Sequence, residues 1–229
     1  MKKIFFNNYK NIICIFVGIL FLAIGTAFFK NSYFGSDAVS TLNLGLAKTL
    51  KLSYGTTNII MNAVALIVLL IVAKNYLGIG TILVTFLLGV TINLIDQIGI
   101  VPSLKDFDKI WYIEYSVKLL YLLLANFICS FGVAIYIYAN RGLTGFEGIL
   151  MKIHTSTKIP FGVIKIINDI IFIIIGFLLG GTVGLGTIIS SVIFGPLVDL
   201  NTKILKKTKI LKEEQDDKKT KNKKNKKHN

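Results

Sequence analysis

Apolar residues dominate six stretches of the chain, at about 12–29, 54–73, 77–95, 119–139, 159–179 and 183–200, and polar residues return between them in a recurring order. A hydrocarbon core of about 30 Å takes roughly 17–25 helical residues to cross. Lipid offers a backbone amide no partner, so runs of this length are predicted to be helices. The apolar residues lie all round these runs rather than in one stripe, and the alternation of a membrane β-barrel is absent. The first run follows a basic start and so has the look of a secretory signal. No small-x-small cleavage site follows it, and it has a counterpart later in the chain, so it is read as the first helix.

That counterpart is part of a repeat. The stretch 24–55, IGTAFFKNSYFGSDAVSTLNLGLAKTLKLSYG, aligns with 131–162, FGVAIYIYANRGLTGFEGILMKIHTSTKIPFG, at an offset of 107 residues. Gly25, Gly35, Lys51 and Gly55 meet Gly132, Gly142, Lys158 and Gly162. At offset 106 the match resumes, GIGTILVTFLLG of 78–89 facing GLGTIISSVIFG of 184–195. Repeat 1 covers about 11–97 and repeat 2 about 115–201. Each holds one span, a connecting segment of about twenty residues and a two-span hairpin. Three spans per copy is odd, so the second copy is expected to enter the membrane from the opposite side. The predicted fold is an all-α polytopic membrane protein of about six transmembrane helices in two inverted three-helix repeats. The connecting segments, 36–52 and 143–158, are too short and too polar to span, and each is expected to be an interfacial or re-entrant helix.

Composition agrees with lipid as the solvent. The 229 residues are 53% apolar and only 17% charged, against roughly 25% charged in soluble domains. Much of the charge lies in residues 202–229, which hold twelve lysines and four acids and are expected to form a disordered tail. Both termini are predicted to be cytoplasmic in a plasma membrane, because the lysine-rich ends and Lys74, Arg141, Lys152 and Lys158 then all lie inside. The tail is expected to meet anionic lipid headgroups. It lacks the aromatic and arginine residues that would suggest nucleic acid.

Candidate chemistry is sparse. Two cysteines, Cys14 and Cys129, fall inside predicted spans and read as small buried hydrophobes. With only His154 and His228 besides, no metal constellation assembles, and no catalytic group or cofactor is expected. Polar residues within a span are costly, which marks Lys165, Asn168 and Asp169 in the fifth run. Lys165 and Asp169 are four apart, on one helix face, and able to pair. Their counterparts at offset 107 are Asn58 and Asn62, so polar groups recur at two equivalent positions. These five residues are the candidate substrate-binding set, expected at the interface of the repeats. Asn93, Asp96 and Asp199 read as span-end residues, and Asp37 and Glu147 as polar residues near the starts of the short helices.

The stretch 180–196, GGTVGLGTIISSVIFGP, has phosphate-loop spacing at Gly181 and Gly186, but Thr187 stands where such a loop needs lysine. The same GxGT recurs at 78–81, which a nucleotide loop does not explain. Gly35, Gly78, Gly80, Gly142, Gly181, Gly184, Gly186 and Pro196 are therefore read as hinge or helix-packing positions. Together with GLTGFEGILMKIHTSTKIPFGVIK of 142–165, this stretch resembles the YczE/YyaS/YitT-type bacterial membrane proteins, YczE-like members above all. The resemblance covers about residues 12–200. It implies an integral membrane protein without supplying a substrate. It also implies an arginine where Lys165 stands, which keeps the charge and loses the planar fork.

The expected function is that of a small-solute or ion permease with a polar site between the repeats. The alternative is a non-transporting membrane scaffold or regulatory protein acting through partners. Oligomeric state is left open by the sequence.

Overall fold

A computed structural model describes residues 2–104, 111–139, 142, 144–159 and 161–207. The described residues form α1 (Lys2–Ser32), α2 (Ala38–Leu50), α3 (Tyr54–Val72), α4 (Ile79–Ile98), α5 (Trp111–Ala139), α6 (Gly145–Thr157), α7 (Phe161–Leu178) and α8 (Leu185–Lys207). One turn of 3-10 helix, Lys74–Tyr76, joins α3 to α4, and no strand occurs among the described residues. Five stretches are long and apolar enough to cross a membrane: Asn11–Ser32, Tyr54–Val72, Ile79–Ile98, Trp111–Ala139 and Leu185–Leu205. The sixth apolar helix is α7, whose eighteen residues reach about 27 Å at 1.5 Å per residue. The chain is thus an all-α, multi-pass membrane protein.

Element boundaries recur with the sequence. Helices α2 and α6 are both thirteen residues long and start 107 positions apart. The same offset separates the ends of α1 and α5, at Ser32 and Ala139, and the starts of α3 and α7, at Tyr54 and Phe161. Even the caps agree. Asp37 and Thr144 are N-caps in extended backbone, and Lys51 and Lys158 close α2 and α6 with φ of 55° and 61°. Helix α8 runs to Lys207, six residues past the predicted end of repeat 2 at 201. The expected disordered tail otherwise lies outside the described residues. Pro196 sits inside α8 and leaves the Val192 carbonyl without its helical donor, yet the helix continues for eleven more residues.

At the centre α1 and α5 run antiparallel in close contact. A Cβ on Gly18 would lie 3.0 Å from the Gly132 carbonyl, and one on Gly25 would lie 2.8 Å from the Cys129 nitrogen. Between lipid-solvated helices close backbone approach of this kind replaces the hydrophobic drive. Edge-on ring contacts extend the seam, with Phe21 on Phe131 at 5.2 Å and Phe28 on Tyr121 at 5.1 Å. Helix α4 packs on α1 and α8 on α5. The first of these contacts is apolar, through Ile15, Ile19 and Val84, and ends in the Lys30–Asp96 ion pair at 2.5 Å. The second carries buried hydrogen bonds, Asn126 to Ser190 at 3.0 Å and Asn201 to Ser130 at 2.8 Å.

The short helices cross over. Helix α2 packs on α7 and α6 on α3, so each repeat lends its short helix to the other. Small residues make this possible. A Cβ on Gly45 would stand 2.5 Å from the Gly176 carbonyl, and one on Gly145 would stand 2.8 Å from the Ala65 Cβ. The glycine strings build the junctions. Gly35 and Gly142 hold φ of +109° and +119°, which side chains rarely adopt, and so turn the chain into α2 and α6. Thr187 accepts from Gly184 N at 3.3 Å, and Thr81 accepts from Gly78 N at 3.2 Å, capping α8 and α4. Each turn glycine sits on the other repeat's cap. A Cβ on Gly35 would meet Thr187 Oγ1 at 2.8 Å, and one on Gly142 would meet Thr81 Oγ1 at 2.4 Å. Gly186 donates to Phe34 O at 2.9 Å, and Gly181 packs under Thr41. Gly80 is buried in the first turn of α4. The duplicated GxGT is a cap that receives the other half of the molecule.

Candidate functional site

The five candidate binding residues fall into two groups. On α7, Lys165 Nζ donates to both carboxylate oxygens of Asp169, at 2.6 and 2.8 Å, and Asn168 Nδ2 reaches the same carboxylate at 3.4 Å. These side chains are partly buried on the face that continues to Gly176, where α2 packs. On α3, Asn62 Nδ2 donates to the Asn58 carbonyl at 2.9 Å and to its Oδ1 at 3.0 Å. Both asparagines are buried on the face that continues to Ala65 and Leu69, where α6 packs. Helices α3 and α7 do not pack along each other, and no hydrogen bond joins the two polar pairs among the described residues. The swapped short helices intervene. Each polar pair faces the short helix of the other repeat.

The structure adds residues that sequence reasoning left at helix ends. Asp37 caps α2, accepting from Ser40 N at 3.4 Å, and lies within electrostatic range of Lys165 and Asp169. It stands in the link between α1 and α2, outside the spans, and burial raises its carboxyl above the ordinary carboxylate range. The hydrogen bond from Ser40 and the charge of Lys165 oppose that rise. Around it lies a buried polar lining. The Tyr54 hydroxyl donates to Ser40 Oγ at 3.1 Å, Ser36 and Thr41 share a hydrogen bond at 3.0 Å, and Asn43 Nδ2 reaches Tyr54 O at 3.3 Å. Asn43 Oδ1 is buried with no hydrogen-bond partner among the described residues. Asp37, Lys165 and Asp169 together carry one net negative charge when ionised. The arrangement suits recognition of a small polar or cationic group. Among the described residues no three His, Cys, Asp or Glu side chains converge as metal ligands.

The equivalent place on α6 is weaker. Thr144 caps it, accepting from Glu147 N at 3.3 Å, and the counterparts of Lys165 and Asp169 in the first repeat are the uncharged Asn58 and Asn62. A sequence signal for Asp37 existed in its position two residues after the Gly35 break.

Asn93 is the other residue whose role the sequence underplayed. Its Oδ1 accepts from Ser53 Oγ at 2.9 Å and from Gly55 N at 3.1 Å, and its Nδ2 reaches Thr56 Oγ1 at 3.4 Å. It therefore caps the start of α3 from α4. Asn93→Ala is expected to cost about 1 kcal/mol, the usual cost of a lost N-cap. Faster amide exchange at residues 53–57 would report it.

Residues 9–203 match the family of unknown function DUF6198, and the chain belongs to that family. An uncharacterized protein of Haemophilus influenzae is 24% identical over 198 residues, which cover 86% of each chain. No solved structure matches. The family assignment supports an integral membrane protein and does not extend to the YczE-like name.

Proposed function

We propose that this DUF6198 protein is a permease for a small polar or charged solute, with its binding site where α2 of the first repeat meets α7 of the second. It is a carrier and not an enzyme. One observation supports the reading above others: Asp37, Lys165 and Asp169 gather at a contact between the repeats, in a chain otherwise solvated by lipid. Ionisable groups within an apolar helix, as Lys165 and Asp169 are, are costly and mark solute or ion pathways. The two repeats are inverted copies in this reading, consistent with the antiparallel α1 and α5. Helices α2 and α6 are then re-entrant segments entering from opposite faces, with both termini cytoplasmic and the lysine tail against anionic lipid.

The experiment is uptake into proteoliposomes over a panel of small cations, zwitterions and anions. Saturable flux is expected, falling about tenfold or more in Asp37→Asn, since a charge-assisted contact is worth about 1.5–3 kcal/mol. A panel that shows no saturable flux with correctly inserted protein overturns the reading.

A further inference from the structure

The two hairpins are equivalent in sequence and unlike in packing. In the first, α3 and α4 are in tight contact: a Cβ on Gly55 would lie 2.1 Å from the Gly89 carbonyl, and one on Gly89 would lie 2.2 Å from the Gly55 carbonyl. Asn93 ties the same end through its bonds to Ser53, Gly55 and Thr56. In the second, the corresponding residues are Gly162, Gly195 and Asp199. A Cβ on either of these glycines meets nothing within 4 Å among the described residues. Asp199 is exposed, with no hydrogen bond or ion pair among the described residues, and α7 does not pack along α8 as α3 does along α4. Burial follows the same division, 39% for the α4 span and 11% for the α8 span.

We propose that the hairpins are the two gates of one alternating-access cycle, seen with the α3–α4 gate shut and the α7–α8 gate open. In the opposite state Gly162 meets Gly195, and Asp199 takes the first amides of α7 as Asn93 takes those of α3. A carboxylate is suited to that place, because a helix N-terminus carries partial positive charge. Meanwhile Asn93 lets go and α3 parts from α4. The latches differ in a way that accounts for the state observed. Asn93 has hydroxyl partners in Ser53 and Thr56, whereas the equivalent sequence positions of the second repeat are Pro160 and Val163, residue types without a hydroxyl. The first gate is therefore the one that rests shut.

This inference rests on the permease reading, and its test separates the two. Ile167→Cys and Leu200→Cys, whose counterparts Ile60 and Leu94 stay exposed beside the shut hairpin, are introduced together into the full chain carrying Cys14→Ser and Cys129→Ala, in phosphatidylethanolamine–phosphatidylglycerol liposomes. Spin labels at the pair are expected to report two distances within one chain. Asn93→Ala should enlarge the short-distance population, and Gly195→Leu should remove it. A single long distance that Asn93→Ala leaves unchanged, or a short distance lost when labelled chains are diluted with unlabelled ones, overturns the gate. Two distances in a protein without saturable uptake would support the gate and overturn the permease. Uptake with one distance would do the reverse.

Discussion

Gly89→Leu is expected to separate α3 from α4 and lower stability by about 3 kcal/mol, while Gly195→Leu leaves the protein as stable as before. The first substitution drives a side chain into a backbone, since its Cβ alone would lie 2.2 Å from the Gly55 carbonyl and 2.5 Å from Ile59 Cγ1. A carbonyl inside a helix cannot swing aside, so the helices must part. Overpacking of this kind costs about 1–3 kcal/mol. At Gly195 the same side chain enters open space and gains helix propensity over glycine, by up to about 1 kcal/mol. Denaturation midpoints of the two full-length variants in one detergent make the comparison. Equal losses at both positions would mean that the two hairpins are packed alike, against the asymmetry described above.

The second large effect is expected at the ion pair of α7. Lys165→Leu leaves Asp169 without its 2.6 Å partner, and Asp169→Leu strands Lys165. An unpaired charge in a span costs about 2.5–3.5 kcal/mol on insertion scales. Each single variant should therefore insert poorly and accumulate at a fraction of the normal level. Changing both to leucine removes both charges, and membrane abundance is expected to return. Solute uptake is not. Abundance is read from a fluorescent fusion and uptake from proteoliposomes at matched protein. Recovery of uptake along with abundance would reduce the pair to a device for insertion. Poor abundance in the double variant would instead give the pair a packing role.

Much of the architecture was legible in the chain. Lipid forces backbone amides to bond within their own segment, so a long apolar run has only one conformation open to it. Six such runs marked the helices, although α1 and α5 begin about ten and eight residues before the apolar runs at 12 and 119, and α8 extends seven past 200. The short helices were legible too, as segments between glycine breaks, while their closure at Lys51 and Lys158 came from the structure. The Lys165–Asp169 pair followed from helical spacing alone.

What the sequence left undecided is which surfaces meet. The same glycine pattern serves a shut hairpin in α3–α4 and an open one in α7–α8, because a glycine permits close approach without requiring it. Asn58 and Asn62 looked like partners of Lys165 and Asp169, yet the crossing of α2 and α6 parts the two pairs and brings Asp37 to one of them. Sequence by itself determined the elements, their order and their duplication, since those depend on local hydrophobicity and backbone preference. Only the tertiary structure decided the exchange of short helices between the repeats and the inequality of the two hairpins. Both are settled by contacts between segments about a hundred residues apart, whose energies no local pattern records.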